Sequence, residues 1–225
     1  MLKPIELAIG EIGYLEKASN KNLDSKALNP GDANITKYAR DIDAINWFNG
    51  KKQGAQWCAT FVNWLFVTAY GADTARKMLY QTGKLAASCT YAAGYYKTAG
   101  AYYTKPQAGD QIFFGNSSGY SHTGIVEKFD KEYVYTIEGN TSDSTGVVSN
   151  GGGVWRKKYL IDYSRIKGYG RPNWSLVQSE TDEAIDWITS AGIMLGNSSG
   201  DLMLDQPITR KQFAVMLYRY DQQKK

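Results

Sequence analysis

A single histidine and two cysteines among 225 residues narrow the chemistry before any motif is read. One imidazole excludes sites built on two or more, such as HExxH zinc sites, so imidazole acid–base chemistry has to run through His122. Two cysteines are too few for a disulfide framework. No stretch approaches the ~20 consecutive apolar residues that a membrane helix needs. The first residues, MLKPIELAIGEIGYLEK, lack a secretory core because Glu6, Gly10 and Glu11 interrupt the apolar positions. Synthesis in a cytoplasm without a Sec signal is therefore expected. Runs of aromatic residues occur without a basic block, which argues against nucleic acid as a partner. What the chain does have is 43% hydrophobic and 21% charged residues, enough for a buried core and against wholesale disorder.

Apolar residues at Ile5, Ala8, Ile9, Ile12 and Leu15 keep a helical period. A polar loop follows, then a short helix around Ile35 to Ile42. The loop WFNGKKQGAQ leads into the apolar run WCATFVNWLFVTAY, which predicts a buried helix over residues 57–70. Asp73 can cap a helix over Thr74 to Tyr80, and Ser88 another over residues 89–99. From Pro106 onward QIFF, SHTGIVEKF, EYVYTIEG, GVWRKKYLI and IKGYG read as short strands separated by Gly, Asn, Asp and Ser. Helices first and strands afterwards predict an α+β domain, with helices packed on an antiparallel sheet.

A boundary is expected near Pro172 to Gln178, giving a front domain over 1–173, a linker over 174–180 and a helix–loop–helix over 181–225. In the latter, Ala184, Ile188 and Ala191 line one helix face, and Phe213, Leu217 and Tyr220 line the other. Thr209 with Gln212 forms a capping box. Residues 1–173 hold 21 Lys/Arg against 15 Asp/Glu, and residues 174–225 hold 5 against 7. A basic front part favours an anionic partner.

Cys58 stands where a polar loop containing Gly50 and Gly54 turns into the apolar helix. The positive end of the helix favours a thiolate there, and free backbone N–H groups can hold an oxyanion. Cys89 follows Ser88 in a Tyr- and Ala-rich helix and reads as structural; an intracellular start argues against a Cys58–Cys89 disulfide. His122 lies on SHTGIVEKF. If Asp130 and Lys131 form the turn to the next strand, His122 faces Gly139; a loop one residue longer or shorter moves the partner to Asn140 or Glu138. A thiol hydrolase needs this order of cysteine, histidine and orienting acid or amide. Gln53 or Gln56 could add an oxyanion donor. Trp57 and the pairs Tyr95-Tyr96 and Tyr102-Tyr103 are candidates for cleft walls.

Residues 1–173 resemble the CHAP family, the cysteine, histidine-dependent amidohydrolases/peptidases, a papain-like group that cuts peptidoglycan. The matching pieces are QWCATFVNWLF, KPQAGDQIFF, SHTGIVEKF, IEGNTS and GYGRP. The resemblance implies Cys58 as nucleophile, His122 as base and then acid, and Glu138 with Asn140 as orienting groups, leaving open which of the two touches the imidazole. No cofactor is implied. Some relatives bind calcium through an Asp-rich loop, but here only Asp41 and Asp43 occupy DIDAIN, which reads as a solvated helix end.

The tail resembles one S-layer homology repeat at Trp187, Gly192-Ile193, Gly196, Gly200, Pro207 and Thr209-Arg210. That resemblance implies binding of an anionic polymer of Gram-positive walls, with Trp187 and Arg210 as contacts, and self-association of several chains to rebuild a multi-repeat surface. The expectation is a phage-type endolysin, an N-acetylmuramoyl-L-alanine amidase or peptide endopeptidase, released to the wall through a holin-type pore. Two other readings compete with it: a non-catalytic wall-binding or tail-associated module with a vestigial papain-like site, and a thiol protease acting on proteins.

Overall fold

The structure, a computed structural model, describes all residues except 148, 149, 178, 179, 198, 199, 205, 224 and 225. Gln178 and Ser179 of the expected linker, and Ser198, Ser199, Asp205, Lys224 and Lys225 of the expected repeat, lie outside the described residues. The chain divides into two compact units, Met1–Leu176 and Val177–Lys225. No helix among the described residues is long and apolar enough to cross a membrane.

The first unit places five helices ahead of most of an antiparallel sheet. The helices are α1 (Lys3–Glu11), α2 (Lys37–Ala44), α3 (Cys58–Tyr70), α4 (Ala72–Met78) and α5 (Cys89–Thr98). The strands are β1 (Tyr102–Tyr103), β2 (Gln111–Asn116), β3 (Gly119–Phe129), β4 (Tyr133–Thr141), β5 (Gly153–Leu160) and β6 (Ile166–Gly170). Their order across the sheet is β1-β6-β2-β3-β4-β5, with every pairing antiparallel. This is the mixed arrangement that the order of helix and strand signals predicts.

α3 is the central helix, and every residue from Cys58 to Phe66 is buried. Burial of side chains such as Phe61, Leu65 and Phe66 is worth about 2–3 kcal/mol each. Of its polar members, Asn63 is held by three hydrogen bonds: Nδ2 donates to the Ala59 carbonyl, and Oδ1 accepts from Trp47 Nε1 and Gln81 Nε2. α3 reaches β4 closely because Gly139 has no side chain. A Cβ there would stand 2.6 Å from Phe61 Cβ and 2.7 Å from Trp57 Cζ3. A further apolar cluster joins Ile112, Phe114, Val126, Val134, Tyr159 and Tyr169, with Val147, Tyr163 and Ile166 packed against it.

Two helix starts differ from expectation. Gly71 occupies the N-cap of α4, so Asp73 lies inside the first turn instead of capping it. Ser88 does hold the N-cap of α5, but its hydroxyl makes no capping bond. Thr36, by contrast, caps α2 by accepting from the Ala39 N–H.

The second unit contains α6 (Glu180–Ser190) and α7 (Arg210–Gln222). Thr209 and Gln212 form the expected capping box. On the expected apolar faces Ile188 and Ala191 are half-buried and Tyr220 packs edge-on against Trp187, ring centroids 6.0 Å apart, whereas Phe213 and Leu217 are 53% and 52% exposed.

Candidate active site

The loop before α3 is tied down from several sides. Both oxygens of Asp43 accept backbone N–H groups, from Lys52 and Gln53. Asp41 accepts from Arg40 and from Trp64 Nε1. These two carboxylates are thus occupied in shaping the loop and α2. Among the described residues no group of three or more His, Cys, Asp or Glu side chains could hold a metal ion. Gln53 is also structural: Oε1 accepts from the Thr36 N–H, and Nε2 donates to the Thr36 carbonyl and to Asn20. That corrects its expected role as an oxyanion donor. Gln56 is exposed. Trp57 is not a cleft wall either. It is fully buried, stacks on Tyr38 and donates from Nε1 to Glu16 Oε2 at 2.8 Å.

This scaffold delivers Cys58 to the first position of α3, and no side chain caps that helix start. The N–H groups of the first turn therefore lack a side-chain cap from the N-cap residue. His122 lies on β3 opposite Phe114, beside a bulge in the β2–β3 pairing. Its Nε2 is 2.9 Å from Glu138 Oε2, with both side chains wholly buried. Glu138 also accepts from Thr136 Oγ1 at 2.6 Å and from the Tyr159 hydroxyl at 3.2 Å. Its carboxylate has room to lie there because Gly124 stands beside it: a Cβ on Gly124 would fall 2.5 Å from Glu138 Cγ.

The β3–β4 register differs slightly from the simplest turn. Asp130 accepts the N–H groups of Glu132 and Tyr133, which moves the turn tip one residue on, and a bulge between Val126 and Lys128 takes part of the shift back. Ile125 then faces Ile137. The group that reaches the imidazole is the Glu138 carboxylate. Asn140 is buried two residues along β4 in the left-handed region, φ 56°, which asparagine tolerates, and its carbonyl accepts from Gly151.

The charges of the site are mutually supporting. The Cys58 thiol is held well below the usual thiol range by the neighbouring Cys89 thiol, by His122 and by the Ala59 N–H, against the opposing effect of burial. Burial also works against a charged His122, but the Cys58 sulfur and Glu138 outweigh it and push the imidazole up to about 10. The second imidazole nitrogen, Nδ1, is buried without a hydrogen-bond partner among the described residues. With Nε2 committed to Glu138, Nδ1 is the nitrogen left for Cys58.

Residues 50–140 match the CHAP domain family model. The CHAP match begins in the loop before Cys58 and ends on Asn140, so it contains the cysteine, the histidine and both expected orienting residues. CHAP domains are typically cysteine, histidine amidohydrolases. No curated protein and no solved structure gives a significant match to the chain. Arg171, beyond the CHAP match, donates from Nε and Nη2 to Asp110 within it, each at 3.0 Å, joining GYGRP to KPQAGDQ.

Three members of the site carried no signal in the sequence. Tyr159 looks like any residue of an alternating strand, Thr136 like a β-branched strand residue, and Cys89 like a buried small residue. Of the other wall candidates, Tyr96 is buried against Phe113, and Tyr102 shares its hydroxyl with Tyr120. Tyr103 is exposed, and Tyr95 lines an open groove between α4 and α5. Trp187 and Arg210 are exposed in the second unit.

Proposed function

We propose that the protein is a peptidoglycan hydrolase that cleaves an amide bond of the Gram-positive wall with Cys58 as nucleophile. The observation that carries this reading is the buried Glu138–His122 pair, whose free nitrogen is left for a thiol at an uncapped helix start. The Cys58 thiolate attacks the scissile carbonyl, and the carbonyl electron pair moves onto its oxygen beside the Cys58 backbone N–H. As the tetrahedral species collapses, the C–N bond breaks and the His122 imidazolium protonates the departing amine. The neutral imidazole then takes a proton from water as that water attacks the thioester, which returns the thiolate. Glu138 keeps the ring aligned throughout, with Thr136 and Tyr159 holding the carboxylate. Asn140 supports the strand end that carries Glu138.

The pH dependence follows from this ion pair. The reactive form needs the imidazolium, which is lost as pH rises through about 10. It also needs the thiolate, which Cys89, His122 and the Ala59 N–H favour by holding the Cys58 thiol well below its usual range. kcat/KM is expected to be flat through neutrality and to fall as pH approaches 10. A break near 6.5, where an ordinary imidazole titrates, would contradict a preformed pair.

Residues 177–225 are read as a wall-anchoring unit of the S-layer-homology type, and the whole chain as a phage-type endolysin acting after holin-type release. The capped α7, the Trp187–Tyr220 contact and the exposed Arg210 support this reading. The bond cut is the N-acetylmuramoyl-L-alanine amide or a stem or cross-bridge peptide bond. Mass spectrometry of muropeptides from digested Gram-positive walls distinguishes them by whose new amino terminus appears. Wall solubilisation that yields new reducing ends and no new amino termini would overturn the proposal.

A further inference from the structure

The hydrolysis proposed above makes no use of Cys89, yet the fold gives this residue a particular place. α3 and α5 each begin on a cysteine, Cys58 and Cys89, and neither start is capped by a side chain. The two sulfurs lie 3.9 Å apart, within hydrogen-bond reach for a thiol. Both cysteines are free, and they are only 5% and 8% exposed.

Two thiolates at this separation, away from water, cannot both ionise, so the pair retains one proton. Their surroundings decide which sulfur keeps it. Facing Cys58 are Cys89 from α5 and His122 from β3, with Glu138 of β4 behind the imidazole, and the Ala59 N–H points at its sulfur. Cys89 has Cys58 as its titratable neighbour, and burial opposes its ionisation. The charge therefore settles on Cys58 and the proton on Cys89.

We infer that Cys89 is a positioning residue of the thiol site: its S–H donates to the Cys58 sulfur, holding that sulfur as a thiolate and fixing its direction between two helix starts. This inference rests on Cys58 being the nucleophile. Its effect is on the readiness of Cys58, and Cys89 itself takes no part in bond making.

The test uses the full chain as wild type, Cys89→Ala and Cys89→Ser. The rate of carbamidomethylation of Cys58 by iodoacetamide is followed against pH, by the mass of the Cys58 peptide. In the wild type Cys58 labels with a midpoint below that of a free thiol and faster than Cys89. In Cys89→Ala the midpoint rises by about one pH unit, so that labelling below it slows roughly tenfold. Cys89→Ser keeps a hydroxyl donor and recovers most of that loss. Wall hydrolysis by the alanine variant falls in kcat with little change in KM. A Cys89→Ala profile identical to wild type overturns the inference while leaving Cys58 as nucleophile. Equal profiles for the alanine and serine variants overturn it too, because mere packing would explain them. A wild-type Cys58 that titrates like a free thiol would instead overturn the hydrolytic reading beneath it.

Discussion

His122→Ala is expected to lower kcat/KM for wall hydrolysis by at least about 10³-fold while wall binding by residues 177–225 is retained. The loss is large because in the proposed mechanism one side chain serves at three points: it stabilises the Cys58 thiolate, protonates the leaving amine and activates the hydrolytic water. No other imidazole exists in the chain to take over any of them. The substitution also leaves the wholly buried Glu138 with, among the described residues, only the Thr136 and Tyr159 hydroxyls as donors. A stability loss of about 1–3 kcal/mol should accompany it, from a buried carboxylate short of one partner. The double variant His122→Ala/Glu138→Gln removes that unpaired charge. It should recover much of the melting temperature and none of the activity. Turbidity loss of purified walls, wall co-sedimentation and a thermal melt separate these effects. Retained hydrolysis by either variant would place the chemistry elsewhere.

Much of the first unit was legible because its signals are local. The apolar run from Trp57 to Tyr70 became α3, and the five aromatic and β-branched stretches became β2 to β6. Cys58 could be placed at a helix start because loop and helix differ so sharply in composition. The approach of β4 to His122 was legible to within one residue, but the group that touches the imidazole was not. It depends on the Asp130 turn, on a bulge between Val126 and Lys128, and on the room beside Gly124. The turn is local, but the bulge and the room beside Gly124 arise from strand pairing that no single segment encodes. Trp57 and Gln53 were misread for a related reason. Each stands within five residues of Cys58 in sequence, yet their partners, Glu16 and Thr36, come from distant segments. Cys89, 31 positions beyond Cys58, reads as structural in the sequence, and setting a disulfide aside left no sign that the two sulfurs meet as thiols. In the second unit the capping box was local and legible. The exposure of Phe213 and Leu217 was not, because helical periodicity shows that a face exists without showing what covers it.

Cys58→Ser is the other substitution with a large expected effect. Serine keeps the size and the position at the start of α3, but its hydroxyl ionises far above any pH at which His122 and the helix start could hold an alkoxide. The polar environment that makes a thiolate therefore leaves serine neutral and unreactive, and activity should fall by at least about 10³-fold. Fold and stability should change little, because the substituted side chain is small and its oxygen can still accept from Cys89. The most direct measurement digests one preparation of Gram-positive walls with wild type and with Cys58→Ser at equal concentration, and counts new amino termini by mass spectrometry. The mechanism predicts new termini with the wild type and none above background with Cys58→Ser, while both proteins sediment with the walls. Equal release by the two proteins would contradict thiol catalysis.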